Sequence, residues 1–362
     1  MKILKLAFIT QEITNGGAER VIVSLSNELV NRNINVDIIS IYNKETTTYT
    51  LDDRVNVIKL KKIKSNLIEF FLRAIKLRKI FNENKYDVII SFTTQKNIST
   101  ILASLFSKHK IIISERNAPK HDPKNKALRI LRKILYNYAD GYVFQTQGAR
   151  DFFNDKIKKK SIIIYNPLVK NLPEYDFSST KDIIITTARL EPEKNIEMSI
   201  KAFAMIAKNN PSIQYHIYGK GSEKEKLQFL INDLKMSNQI YLKGFSNNVF
   251  KELKTARLFL LTSNYEGVSN SLIEAVCMGV PTITTDHDPG GARNVITDRQ
   301  NGFIVEKNNV SQLAEVMQIV LSDDSIARYI SNQGIKSRDK FDIQIIVDQW
   351  LNYITSIIGI SR

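Results

Sequence analysis

Apolar positions along the chain fall in short continuous runs, separated by longer segments with helical spacing. The runs Leu4–Ile9, Val36–Ile39, Asp87–Ser91, Ile111–Ser114, Gly141–Phe144 and Ile162–Ile164 read as strands. Between them, helical periodicity predicts helices at about 18–31, 66–82, 96–107, 123–138 and 147–157. Strands that are apolar throughout, rather than on alternate residues, are buried on both faces, which predicts a parallel sheet covered by helices. The pattern stops from Asn166-Pro167 to Thr180, a stretch with two prolines and two serines that reads as a linker. It restarts at Ile183–Ala188 and continues with strands at 213–217, 239–243, 257–261 and 281–285. Helices are predicted near 195–208, 222–236, 247–255, from about 270, and near 310–321, 324–338 and 341–358. The expected architecture is α/β, with two doubly wound Rossmann-like domains in tandem. Residues 1–166 form the first, 167–180 the linker and 181–340 the second, with a last helix, about 341–362, packing back on the first domain. Ligands of such sheets bind beyond the carboxyl ends of the strands, so a cleft between two facing domains is the expected site.

Composition narrows the classes. The chain has 362 residues, 43% of them hydrophobic, enough for two cores. A single cysteine, Cys277, excludes a disulfide scaffold and fits a cytoplasmic setting. The four histidines have no HExxH spacing. No apolar run is long enough to span a membrane, and MKILKLAFIT reads as a buried first strand rather than a secretory signal. The net charge is +15, and it is uneven: residues 1–170 hold 31 Lys and Arg against 15 Asp and Glu, whereas 171–362 hold 21 against 22. The first half should therefore face something anionic: nucleic acid, anionic lipid or a phosphorylated substrate.

The chemistry gathers at predicted strand ends. Gly16 and Gly17 sit at the first strand-to-helix turn, where backbone N–H groups and a helix start favour an anion. The GxGxxG fingerprint is absent, which argues against a dehydrogenase. In the second half, Glu266 and Glu274 flank a small-residue loop leading into a helix. The N–H groups of Val268, Ser269 and Asn270 can cradle a phosphate. A carboxylate one turn along can accept two hydrogen bonds from a vicinal diol such as a ribose. Arg189 and Lys194 lie five residues apart just after the strand at 183–188, where a diphosphate would need cations.

With these residues in place, the sequence resembles a family 4 glycosyltransferase of the GT-B architecture. The resemblance rests on NGGAER at 15–20, ARLEPEKN at 188–195, IYGKGSEKEKL at 217–227 and LKGFSNNV at 242–249. EGVSNSLIEAVCMGVPTITTDHDPGGARNVI at 266–296 contains an E-x7-E signature, and NGFIV follows at 301–305. It implies a retaining, metal-independent enzyme with the nucleotide sugar on the second domain and the acceptor on the first. By the same resemblance, Arg189 and Lys194 would bind the donor diphosphate, Glu274 the ribose and Glu266 the donor sugar. Phe245 and Gly219 would line the base pocket, and Gly16-Gly17 would close over the transferring centre. Arg116, in Ser114-Glu115-Arg116-Asn117, stands where many members carry a histidine. An arginine cannot serve as a general base at neutral pH, so an electrostatic role is expected. Asp286-His287-Asp288 resembles a metal-binding DxD of a different architecture, but no metal is expected here.

Two basic helices mark the first half. One follows Lys59, Lys61, Lys62 and Lys64 and interleaves Leu67, Phe70, Phe71, Ile75 and Leu77 with Arg73, Lys76, Arg78 and Lys79. In the other, Asp122 is expected to cap and Pro123 to open a helix whose Lys126, Arg129 and Lys133 form one stripe. Neither shows a nucleic-acid motif. The expected partners are thus a nucleotide sugar, a membrane lipid-diphosphate-linked saccharide acceptor, and an anionic membrane surface met through Arg73, Lys76, Lys126, Arg129 and Lys133. The expected activity is transfer of a hexose or N-acetylhexosamine, UDP-linked, into a bacterial surface glycan at the inner face of the membrane. The alternatives are a GDP-mannose-dependent enzyme, a soluble-acceptor transferase, or a non-enzymatic module that binds nucleotide sugars or nucleic acid.

Overall fold

A computed structural model describes residues 4–14, 16–41, 49–60, 66–246 and 248–359, with the backbone only for 66–71. Asn15, Lys61, Lys62, Lys64 and the side chains of Leu67, Phe70 and Phe71 lie outside the described residues. The chain divides into unit 1, residues 1–167 with 342–362, and unit 2, residues 168–341.

Unit 1 contains β1 (Lys5–Thr10), α1 (Gly17–Asn31), β2 (Asn35–Ser40), β3 (Asn56–Lys59), α2 (Asn66–Asn84), β4 (Val88–Phe92), α3 (Thr94–Ser104), β5 (Lys110–Ser114), α4 (Lys126–Leu135), β6 (Gly141–Phe144), α5 (Gln147–Asp151), α6 (Asp155–Lys159) and β7 (Ser161–Ile163). The sheet order is β3-β2-β1-β4-β5-β6-β7, parallel throughout. The continuous apolar strands feed two cores, as expected for a sheet buried on both faces. Leu6, Phe8, Val36, Ile38, Val88 and Ile90 point to one face, and Ala7, Ile9, Ile39 and Ile89 to the other.

Unit 2 contains β8 (Ile183–Thr187), α7 (Ile196–Ala207), β9 (Gln214–Tyr218), α8 (Lys224–Asp233), β10 (Ile240–Gly244), α9 (Val249–Leu253), β11 (Leu258–Leu261), α10 (Asn270–Met278), β12 (Thr282–Thr285), α11 (Gly291–Val295), β13 (Phe303–Val305), α12 (Val310–Ser322) and α13 (Asp324–Ile335). Its parallel sheet runs β10-β9-β8-β11-β12-β13. Within the segment read as a linker, Tyr175 and Phe177 pack into unit 2. The Tyr175 hydroxyl donates to the Ala256 carbonyl at 2.9 Å, and Phe177 lies under Arg257 and Arg328. The last helix, α14 (Ile343–Ile358), packs along α1, burying Ile346, Trp350 and Ile354 in the core of unit 1.

The strand order reverses direction between β1 and β4 in unit 1 and between β8 and β11 in unit 2. At such a switch point the loops after neighbouring strands leave in opposite directions and open a crevice. Several sequence expectations change in detail. α4 begins at Lys126, where Asn125 accepts from the N–H groups of Ala127 and Leu128, so Asn125 caps the helix rather than Asp122. The helix expected at 147–157 is two short ones, because Asn154 caps a second start by accepting from Ile157 N. The short elements β3, β13 and α11 carry too few residues to show a period.

Beside the β1–β4 switch point, Glu115 is buried at the end of β5. Thr94, Asn97 and Tyr136 donate to its carboxylate. Burial raises its pKa from 4.5 to about 6, against the hydrogen bond from Tyr136 and the charge of Arg132. A folded pKa above the unfolded one means that the protonated acid stabilises the fold. That contribution is complete below about pH 4.5 and lost as pH rises through about 6, and amounts to roughly 2 kcal/mol. Glu115→Gln should therefore gain about that much stability relative to the wild type between pH 4.5 and pH 7, measured by urea unfolding across the range. A difference that stays flat with pH would show that the carboxyl titrates normally.

Candidate active site

Unit 2 gathers its chemistry at the β8–β11 switch point. The loop after β8 carries Arg189 and Lys194, and the loop after β11 carries Glu266. Three sets of hydrogen bonds tie them together. Thr262 Oγ1 donates to the carbonyls of Lys194 and Asn195 at 3.2 and 3.0 Å. The N–H of Asn264 donates to the Glu193 carbonyl at 2.8 Å. Asn195, left-handed at φ 46°, donates through its side-chain amide to Asn264 Oδ1 at 3.1 Å and to Asn308 Oδ1 at 2.9 Å. Asparagine is among the few residues that tolerate this backbone region.

That scaffold places Lys194 Nζ 2.6 Å from Glu266 Oε1, with side chains 9% and 21% exposed. Ser263 Oγ donates to the other oxygen of Glu266 at 3.1 Å. Burial pushes the Glu266 pKa up, but Lys194, His287 and the two hydrogen bonds together hold it below the ordinary value. The backbone of Glu266 is pinned as well, its N–H donating to the Asp288 carbonyl at 2.8 Å.

The remaining predicted residues surround this pair unequally. Arg189 points outward, 70% exposed, and pairs with Glu193 at 3.0 Å. Gly219 follows β9 at φ +150°, and a Cβ there would stand 1.8 Å from the Ala188 carbonyl oxygen, so the loops after β8 and β9 can meet only over a glycine. The N–H of Gly219 donates to the Gly244 carbonyl at 2.8 Å, which brings in the end of β10 and the half-exposed Phe245. Val268 is buried, Ser269 is the N-cap of α10, and Asn270 is its first residue. Glu274 lies on the second turn of α10 and is 4% exposed.

In unit 1, Gly16 and Gly17 open α1, but the anion at this helix start is internal. Glu19 folds back so that a Cβ on Gly16 would fall 1.9 Å from its carboxylate. Burial raises the Glu19 pKa against its own backbone N–H and the charge of Lys96, whose Nζ donates to Gln11 at 2.8 Å. Arg116 lies with its guanidinium 4.1 Å from the Phe92 ring centroid and donates from Nη1 to Asn166 at 2.9 Å. Its Nε and Nη2 are buried without a hydrogen-bond partner among the described residues, and burial lowers its pKa to about 9.

Two family models match the chain: glycosyl transferases group 1 over residues 170–337, and glycosyl transferase 4-like over residues 14–146. The chain is a glycosyltransferase, with one glycosyltransferase model on each unit. It is 28% identical, over 98% of its length and 99% of the relative's, to the GalNAc-alpha-(1->4)-GalNAc-alpha-(1->3)-diNAcBac-PP-undecaprenol alpha-1,4-N-acetyl-D-galactosaminyltransferase of Campylobacter jejuni. It is 26% identical to the poly(glycerol-phosphate) alpha-glucosyltransferase of Bacillus subtilis over 86% of this chain, and spans 46% of that longer protein. The Anabaena protein HepE, solved in complex with UDP, superposes with a TM-score of 0.83 at 18% identity, covering 98% of this chain and 100% of HepE. The two Rossmann-like units are those of the GT-B fold.

Sequence reasoning missed part of this glycosyltransferase's site. In sequence, His287 is only the middle of a DxD-like triplet. The structure pairs Asp286 with Arg293 at 2.6 Å and Asp288 with Lys307 at 2.9 Å, and buries the imidazole beside Glu266 and Lys194. Burial first, and then Lys194, keep His287 below its usual pKa. Glu193 and Ser263, which hold Arg189 and Glu266, also went unnoticed. Spacing of four residues from Arg189 was the one available signal for Glu193. Among the described residues no group of three or more His, Cys, Asp and Glu side chains could hold a metal ion.

A pair this enclosed should be coupled. Lys194→Met and Glu266→Gln are each expected to destabilise the glycosyltransferase by roughly 1–3 kcal/mol, since each leaves one charged or polar partner unmatched. The double variant should cost less than the sum, with a coupling of roughly 1–3 kcal/mol in chemical denaturation. Strictly additive losses would show that the pair is not an energetic unit.

Proposed function

We propose that this glycosyltransferase moves a hexose or N-acetylhexosamine from a UDP-sugar onto a lipid-diphosphate-linked saccharide, with retention and formation of an α-glycosidic bond. The observation that carries the reading is the Lys194–Glu266 pair, a cation and a carboxylate held together at the carboxyl end of the unit 2 sheet. Relatives named for α-transfer onto an undecaprenol-diphosphate saccharide and onto a polyol phosphate support the acceptor class, and a UDP-bound neighbour supports the donor.

In this reading, unit 2 holds the donor. Cleavage of the sugar–diphosphate bond develops negative charge on the leaving oxygen and positive character on the sugar. Lys194, fixed by Glu266, presents its ammonium to the diphosphate with little reorganisation, and Arg189 swings from Glu193 to the outer phosphate. The positive end of α10, at Val268–Asn270, adds to the same field. Glu266 accepts from hydroxyls of the donor sugar and Glu274 from the ribose, while Gly219 and Phe245 border the base. These fixed charges do the work a divalent cation does in other transferases, so the scheme needs no metal. Unit 1 takes the acceptor. Arg116, charged near neutral pH and lacking an acidic partner among the described residues, contributes positive potential at the carboxyl end of β5 and transfers no proton.

Two measurements test this. UDP and UDP-hexoses should raise the melting temperature by about 5 °C at roughly a hundredfold excess over Kd, with GDP-mannose giving little shift. The reverse ranking would reassign the donor. Lys194→Ala should lower turnover on the order of a hundredfold, and EDTA should leave the wild-type rate unchanged. Wild-type turnover in the folded variant would remove Lys194 from the reaction.

A further inference from the structure

The outward face of α4 is not the polar surface an edge helix normally shows. Ile130 and Ile134 are 62% and 54% exposed, and Tyr138, in the turn that follows the helix, is 64% exposed. Four-residue spacing sets the three in one row about 12 Å long. Lys126 and Lys133 are exposed on the same side and make no ion pair among the described residues, while Arg129 is hooked back onto the carbonyls of Pro123 and His121. The opposite face is the buried one, with Arg132 and Leu135 turned inward. α2 repeats the arrangement: Ile75 is 64% exposed beside Lys76, and both α2 and α4 pack against α3. Arg73, expected on this surface from its sequence, is instead buried at 7% exposure, since it falls on the inward side of α2 next to Ala74 and Leu77.

We infer that the α4 face, with Ile75 and Lys76 of α2, is a lipid-contact surface, on which Ile130, Ile134 and Tyr138 enter the interface of an anionic leaflet and Lys126 and Lys133 meet its headgroups. This deepens the lipid-linked acceptor reading and rests on it for its purpose, though not for its test. The combination of charge and apolarity selects the occupant. A second copy of the chain would bring like-charged rows against each other, and nucleic acid would leave Ile130 and Ile134 in water. An anionic bilayer satisfies both, because it offers negative headgroups at the depth of the lysines and hydrocarbon just below. No helix among the described residues is long and apolar enough to cross a membrane, so contact is made by a helix lying on the surface.

The experiment is flotation of the full chain with phosphatidylcholine vesicles, with and without phosphatidylglycerol, in the absence of donor and acceptor. The protein should float with the anionic vesicles and less so as salt rises. Ile130→Asp combined with Ile134→Asp should weaken binding about tenfold or more, with the melting temperature and its shift by UDP unchanged, because neither side chain enters the core. Lys126→Glu with Lys133→Glu should act chiefly at low salt. Flotation that ignores phosphatidylglycerol, or that the Ile double variant retains in full, overturns the proposal. So does a wild-type dimer in solution that this variant abolishes, since a second copy would then be the occupant. Because flotation needs no sugar transfer, its failure leaves the donor and acceptor reading standing, and loss of UDP binding leaves the surface standing.

Discussion

The bond between Lys194 and Glu266 is the contact on which the arrangement of unit 2 turns. Neither partner is comfortable alone. An ammonium 9% exposed and a carboxylate 21% exposed both lose hydration, and each offsets the other's loss. The parallel topology is what makes the pairing possible. Because β8 and β11 are neighbours whose following loops part at the switch point, residues 72 positions apart meet over the sheet edge. The bonds from Thr262, Asn195 and Asn264 then fix loop against loop, so the charges are set by backbone rather than by side-chain chance. A cation so held has few rotamers left to lose when an anion arrives, and that is the condition under which fixed charge lowers a barrier.

Much of this was legible in the sequence, and for identifiable reasons. Runs such as Leu6–Ile9 and Ile111–Ile113 carry no polar residue on either face, and only a doubly covered sheet accommodates that. Glu266 and Lys194 stood out because acid and base flank loops at strand ends, where ligands of α/β sheets bind. What escaped was information that the local sequence does not carry. His287 lies in a triplet whose two aspartates look like metal ligands. Nothing nearby says that Arg293 and Lys307 will take them and leave the imidazole buried within electrostatic reach of Glu266. The cap of α4 was misplaced by three residues because Asp122 and Asn125 are equally good acceptors, and only the path of the chain chooses between them. Arg73 reads as an outward cation in sequence because a helical period of cations looks alike from either side until the core is known.

The same distinction separates two glycine signals that look similar on paper. Gly219 is required by backbone, since any side chain would meet the Ala188 carbonyl. At Gly16 the close neighbour is only the tip of the Glu19 side chain, which can move aside, and the backbone is extended, so the position does not demand a glycine. A glycine pair before a helix suggests an opening for an external phosphate, yet at α1 the protein supplies its own acid, half-buried and within reach of the charge of Lys96.

This internal anion bears on how charge is distributed in unit 1. The excess of Lys and Arg in residues 1–170 does not collect at the strand ends, where Glu19, Glu115 and Asp122 stand among Lys96 and Arg132. There, acids and bases nearly cancel, and burial raises the pKa of each of the three acids and lowers that of Lys96. The uncompensated cations lie instead on helix exteriors such as those of α2 and α4, interleaved with exposed isoleucines. A solubility surface would not need those isoleucines, and a polyanion-binding surface would gain nothing from them. A surface that must satisfy charge at one depth and hydrocarbon at the next needs both in one row, and on α4 the helical period supplies that row.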